Sequence, residues 1–165
     1  MKIDILDFDT IAQIFEYRKK ALNFLYSETN PEYTTLFLGL SRSEILEQKK
    51  NEIKEIERDA CLNIIASVEA RFMEDFKFRV KRNRSNNIFR NILPFASKPD
   101  RIPIDHIIDA WKVQEIIASG ILSRFKGAYK YRNWLAHGRH WAKPQEHDFW
   151  DLYTIAISTR LLPLN

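Results

Sequence analysis

From Ser41 to Arg82 the chain runs without a glycine or a proline. Nothing in that span interrupts a backbone ladder, so a single long element is its natural form. The apolar side chains decide which kind. Ile45, Ile53, Ile56, Ala60, Ile64, Ile65, Val68, Phe72 and Phe76 recur mostly at three- and four-residue steps, the period of one helical face. Ser41 and Glu44 stand at capping-box spacing at its start. The pattern predicts a helix from about Ser41 to about Arg82, longer than a usual globular helix. Glu47 and Lys50, and Glu55 and Arg58, fall as neighbours on its solvated side.

The whole chain is equally poor in breakers. Four glycines and six prolines in 165 residues are too few for a sandwich or barrel, and the glycines are not clustered as a phosphate loop needs. A first helix fits about Asp9 to Tyr26, with Ile11, Ile14, Phe15, Leu22 and Leu25 inward and Asp9 as cap. Asn30-Pro31 breaks it. Beyond the three-proline stretch "NRSNNIFRNILPFASKPDRIP", a third helix fits "IDHIIDAWKVQEIIAS", with Asp105 as cap. Its inward residues are Ile107, Ile108, Trp111, Ile116 and Ile117. Gly120 is expected to divide it from a fourth, "ILSRFKGAYKYRNWLAH", which Gly138 ends in the usual glycine manner. A fifth, "QEHDFWDLYTIAISTRLL", packs Phe149, Leu152, Tyr153 and Ala156. The expected fold is all-α, one domain over residues 1–165, a compact bundle of about five helices.

Composition narrows the function classes. A hydrophobic share of 45% with 29% charge belongs to a packed globular chain, not a disordered one. A net charge of +4 leans towards an anionic partner. Cys61 is the one cysteine, which excludes an intramolecular disulfide and a multi-cysteine zinc site. It is expected to be a small buried apolar residue. "MKIDILDFDT" carries acids where an export signal carries bases, and no apolar run is long enough to span a bilayer. A cytoplasmic location without membrane contact is expected.

One stretch carries chemistry. "YRNWLAHGRHW", Tyr131 to Trp141, closes the fourth helix. Asn133 and His137 are four apart and share a face, so the amide can fix which imidazole nitrogen is free. Arg132 and His137 are five apart, about 140° around an ideal helix. They converge only if the helix loosens at His137 or if two copies face each other across a twofold axis. Histidine suits removal of a proton from an RNA 2′-hydroxyl, and arginine suits the charge that builds on phosphorus-bound oxygens. That reaction requires no metal and no cofactor. The plainer alternative is a helix end where bases meet the dipole.

Arg132, a polar residue and then His137 resemble the motif of HEPN-domain ribonucleases, and "AHGRHW" looks most like the subgroup whose HEPN domains accompany L-PSP ribonucleases. The resemblance implies a helical bundle with an up-and-down four-helix core that forms a homodimer. Motifs from both subunits then share one cleft. It also implies metal-independent RNA cleavage, as a toxin, an antiphage effector or an RNA-processing enzyme, with a possible cognate antitoxin or inhibitor protein. Trp134 and Trp141 are expected as core or interface aromatics, near the dimer seam.

Three further features attach to this reading. Lys77, Arg79, Lys81, Arg82 and Arg84, with Arg90 beyond them, form a basic run suited to an RNA backbone, as does Arg139 after Gly138. Arg124, Lys126 and Lys130 could extend that surface towards Arg132. Glu69 lies on or beside the apolar stripe of the long helix, where a carboxylate seeks a cation; Arg132 and Arg71 are its candidates. Two rival readings differ in kind. His137, His140 and His147, with Glu146 and Asp148, could ligate zinc or manganese, although their spacing matches no known ligand set. A non-catalytic binding or scaffold module, or an antitoxin partner, would be expected to carry a damaged motif.

Overall fold

The uninterrupted span folds as one helix, α3 (Arg42–Lys81), and four of the other helices pack against it. The structure, a computed structural model, describes residues 7–81, 102–114, 119–138, 142 and 144–164. Along these run α1 (Phe8–Leu25), α2 (Tyr33–Leu36), α3, α4 (Ile104–Gln114), α5 (Ser119–Ala136), α6 (Phe149–Ser158) and a closing 3-10 turn, Thr159–Leu161. Six helices and no strand among the described residues make the protein an all-α bundle. None of these helices is long and apolar enough to cross a membrane.

Side-chain pairs fix the directions. Arg71 lies over the Phe8 ring, Arg18 pairs with Asp59, and the Tyr26 hydroxyl donates to Glu52 at 2.7 Å. Rising numbers on α1 thus meet falling numbers on α3, so the two are antiparallel. Phe125 stacks on Phe72 and Arg132 pairs with Glu69, so α5 also runs against α3. The Phe149 amide donates to Glu57 while the Pro163 carbonyl accepts from Arg79, so α6 runs with α3. The chain alternates up and down through α1, α3, α5 and α6.

The main core holds the inward residues that periodicity picks out. Ile64, Ile65, Val68, Phe72 and Phe76 of α3 meet Ile107, Ile108, Trp111, Phe125, Phe149 and Leu152, all buried. Deleting one such aromatic, Phe72→Ala for example, costs about 3–5 kcal/mol through lost transfer energy and the cavity left behind. Cys61 is fully buried, and burial pushes its thiol up to about 12. Tyr26, Phe37 and Ile45 form a separate small cluster, with Leu22 and Tyr33 against it. That cluster gives "NPEYTTL" a reason to coil into α2, which the Asn-Pro break conceals.

Several boundaries differ from the sequence expectations. Asp7, not Asp9, caps α1, its carboxylate accepting from the Asp9 amide at 3.1 Å. Asp9 instead accepts from Tyr153 and pairs with Arg160 at 3.0 Å, tying α1 to the chain's end. The box at α3 forms as expected: the Ser41 amide donates to Glu44 at 2.7 Å, and the Glu44 amide donates to the Ser41 hydroxyl at 3.3 Å. Asp105 lies within the first turn of α4 rather than before it. Gly120 does not divide two helices; it sits inside the first turn of α5, where the amides have no ladder partner to lose. The fifth expected helix starts at Phe149, because extended Asp148 caps it through the Asp151 amide at 2.9 Å. Ile14 and Leu25 are exposed rather than inward, and Ile116 and Ile117 lie outside the described residues.

Candidate functional site

Helix α5 has two jobs. Leu122, Phe125, Ala128, Tyr131 and Trp134 are buried and hold it in the bundle. Tyr129, Arg132 and Asn133 sit beside that stripe, half-buried, along α3. There Arg132 Nη2 meets Glu69 Oε2 at 3.4 Å, with side chains 25% and 24% exposed. Arg132 Nη1 donates to Asn133 Oδ1 at 3.1 Å. The Arg132 guanidinium also lies 5.7 Å from the Tyr129 ring centre, and the Tyr129 hydroxyl donates weakly to Glu69 Oε1 at 3.4 Å.

A carboxylate, an amide and an aromatic face thus hold one guanidinium from three sides. Its Nε is buried and finds no hydrogen-bond partner among the described residues. Burial, then the Glu69 charge, raises the Tyr129 phenol above its usual value, which keeps it neutral and a donor near pH 7. The pairing of Glu69 with Arg132 across α3 and α5 is the contact anticipated from the sequence. Tyr129 was not anticipated; its only signal is helical spacing, three and four residues before Arg132 and Asn133.

His137 is exposed at the end of α5. Its amide donates to the Asn133 carbonyl at 3.1 Å, so the helical ladder reaches His137. Gly138 then turns the chain in the left-handed region at φ 80°. The loosening that would swing His137 towards Arg132 therefore begins one residue too late, and the two occupy different sides of a regular turn. Asn133 Oδ1 accepts from Arg132, so this amide already serves the arginine. Trp134 takes the core role, one of the two expected for it: it is 6% exposed and stacks on Tyr131 at 5.9 Å.

The basic run divides. Arg79 donates to the fully buried Asp75 at 2.8 Å and to the Pro163 carbonyl at 2.7 Å, and lies over the Trp111 ring. It is a tie between α3, α4 and the end of the chain, unlike the exposed phosphate contact anticipated for it. Lys77 is half-buried and Lys81 exposed at the helix end. Arg82, Arg84, Arg90, Arg139, His140 and Trp141 lie outside the described residues. Lys126 is held by Asp109 at 2.9 Å, which removes most of its charge from a basic surface, while Arg124 and Lys130 are exposed.

His147 lies elsewhere, half-buried with its ring 5.9 Å from Tyr131. Burial lowers its pKa. It shares a cavity of about 180 Å³ with Lys54, Glu57, Arg58 and Tyr131. No group of three or more His, Cys, Asp or Glu side chains among the described residues is placed to hold a metal ion.

No family model, curated protein or solved structure matches the chain.

Proposed function

We propose that this chain is a metal-independent endoribonuclease of HEPN type, acting on RNA in the cytoplasm as a homodimer. The observation that carries the proposal is the Arg132 cluster: a guanidinium steadied by Glu69, Asn133 and Tyr129, one turn from an exposed histidine at a glycine-ended helix. In this reading His137 takes the proton of the RNA 2′-hydroxyl. The 2′-oxygen then bonds to the adjacent phosphorus, the bond from phosphorus to the 5′-oxygen breaks, and that oxygen collects a proton. Arg132 stabilises the oxygens that gain charge meanwhile. The products are a 2′,3′-cyclic phosphate and a 5′-hydroxyl.

The regular ladder through His137 supports the dimer part. A histidine and an arginine on different sides of one helix meet a common phosphate when a second copy supplies one of them. Because Trp134 is internal, such a seam would use the exposed end of α5.

Incubation with RNA in the presence of EDTA tests the reading. Cleavage should persist, leave cyclic phosphate ends, and vanish when the 2′-hydroxyl at the cut site becomes hydrogen or when His137→Ala is introduced. Mixing Arg132→Ala and His137→Ala subunits should restore a fraction of the activity. Loss of cleavage on chelation with recovery on zinc or manganese would replace this reading by the histidine-cluster one. An intact fold that never cuts RNA would leave a binding module.

A further inference from the structure

Eight of the eleven exposed large apolar side chains among the described residues lie between Ile14 and Leu46. Four of them, Ile14, Tyr17, Phe24 and Leu25, are on α1, whose inward face is already supplied by Phe8, Ile11, Ala12 and Phe15. Ile14, Tyr17, Ala21 and Phe24 step at helical spacing, so α1 carries a second apolar stripe turned away from the core. A surface helix needs only one.

Ile14 of that stripe lines a small hollow that adjoins a groove along α3. The N-terminal half of α3 lines most of an open trough of about 580 Å³, with Arg18 of α1 at its edge. Its α3 wall bears Glu44, Glu47, Glu52, Glu55 and Asp59, and Arg18, the one cation lining it among the described residues, is paired with Asp59 at 3.2 Å. Ile56 forms part of its floor, and an adjoining hollow continues it past Ile14 and Asn63. Around it Arg58 pairs with Glu55, and Lys50 and Lys54 stand three and seven residues after Glu47, yet the lining itself sets five carboxylates against Arg18 although the chain as a whole is basic. From Glu44 to Asn63 the trough follows α3 for roughly 28 Å, the length of about 18 helical residues.

We propose that this groove docks an amphipathic helix of a partner protein, apolar on the side facing Ile14 and Ile56 and lined with lysine or arginine along the flank facing α3. A trough along α3 with α1 at its edge suits a further helix in shape. The acidic wall selects the flank by sign, and by the same sign it repels RNA and anionic lipid. The surface is separate from the Arg132 cluster, and the proposal does not depend on the nuclease reading.

The probes are an 18-residue leucine/lysine amphipathic peptide and its leucine/glutamate counterpart, labelled for fluorescence anisotropy. The lysine peptide should bind the wild type and the glutamate peptide should not. Exchanging the exposed Glu47 and Glu55 together (Glu47→Lys, Glu55→Lys) should weaken the lysine peptide at least about tenfold, or 1.4 kcal/mol, and confer binding on the glutamate peptide. Ile14→Asp should weaken whichever peptide binds. Circular dichroism confirms that each variant is folded. No binding, equal binding of the two peptides, or a lysine-peptide affinity indifferent to the double exchange would overturn the proposal. So would a self-association that Ile14→Asp abolishes, because the occupant would then be a second copy.

Discussion

Replacing Glu69 by glutamine removes one charge and keeps the side-chain shape, which isolates what the carboxylate does for Arg132. The two groups are 3.4 Å apart. At that separation a unit pair is worth about 1 kcal/mol in bulk water and about 5 kcal/mol at an effective dielectric of 20. Both side chains are about one-quarter exposed, so the pair is partly screened, and removing it from water offsets part of the attraction. The expected coupling is about 1–3 kcal/mol. Urea unfolding of wild type, Glu69→Gln, Arg132→Gln and the double variant measures it as a double-mutant cycle. In cleavage assays Glu69→Gln should lower kcat without raising KM, because an unpaired Arg132 still attracts phosphate but is no longer held in place. Stability effects that add to within about 0.5 kcal/mol would refute the coupling and return Glu69 to ordinary surface duty.

Three other outcomes test the remaining assignments. Arg79→Ala should destabilise the fold by about 3 kcal/mol, because it takes an ion-pair partner from a carboxylate buried at Asp75, whereas Lys81→Ala should leave stability almost unchanged, weaken RNA binding most at low salt and flatten its salt dependence; equal melting temperatures for the two would refute the distinction. Burial keeps the folded pKa of His147 below its usual 6.5, so the unfolded chain binds a proton that the folded chain does not. Stability should be fully present above that usual value and fall as pH drops through it, with the slope reduced in His147→Gln, as thermal melts across the range would show. Gly138→Ala forces a side chain into the left-handed region at φ 80° and should cost about 1 kcal/mol while lowering cleavage more than His137 exposure alone explains; an unchanged melting temperature would show that the turn relaxes freely.

The sequence by itself determined the helices and much of the core. Helical periodicity and a scarcity of breakers are local properties, and α3 follows from them almost residue for residue, as do its capping box and the buried run from Ala60 to Phe76. That Glu69 seeks a cation was also legible, because a carboxylate beside an apolar stripe needs one; the choice of Arg132 over Arg71 came from packing. What the tertiary structure alone decided is which partner each polar group finds. Arg79 and Lys81 are two residues apart in one basic run, yet one is drawn onto buried Asp75 and Trp111 while the other stays in solvent. Asp7 rather than Asp9 became the cap because the helix begins at Phe8 with Asp7 in extended backbone, while Arg160, about 150 residues away, pairs with both carboxylates and Tyr153 donates to Asp9. Tyr129 joined the arginine because α5 rotates it towards Glu69. Ile14 was left outside because α3 covers only the other face of α1. Periodicity states which face of a helix is apolar; only packing states how many neighbours arrive to cover it, and which charges they bring.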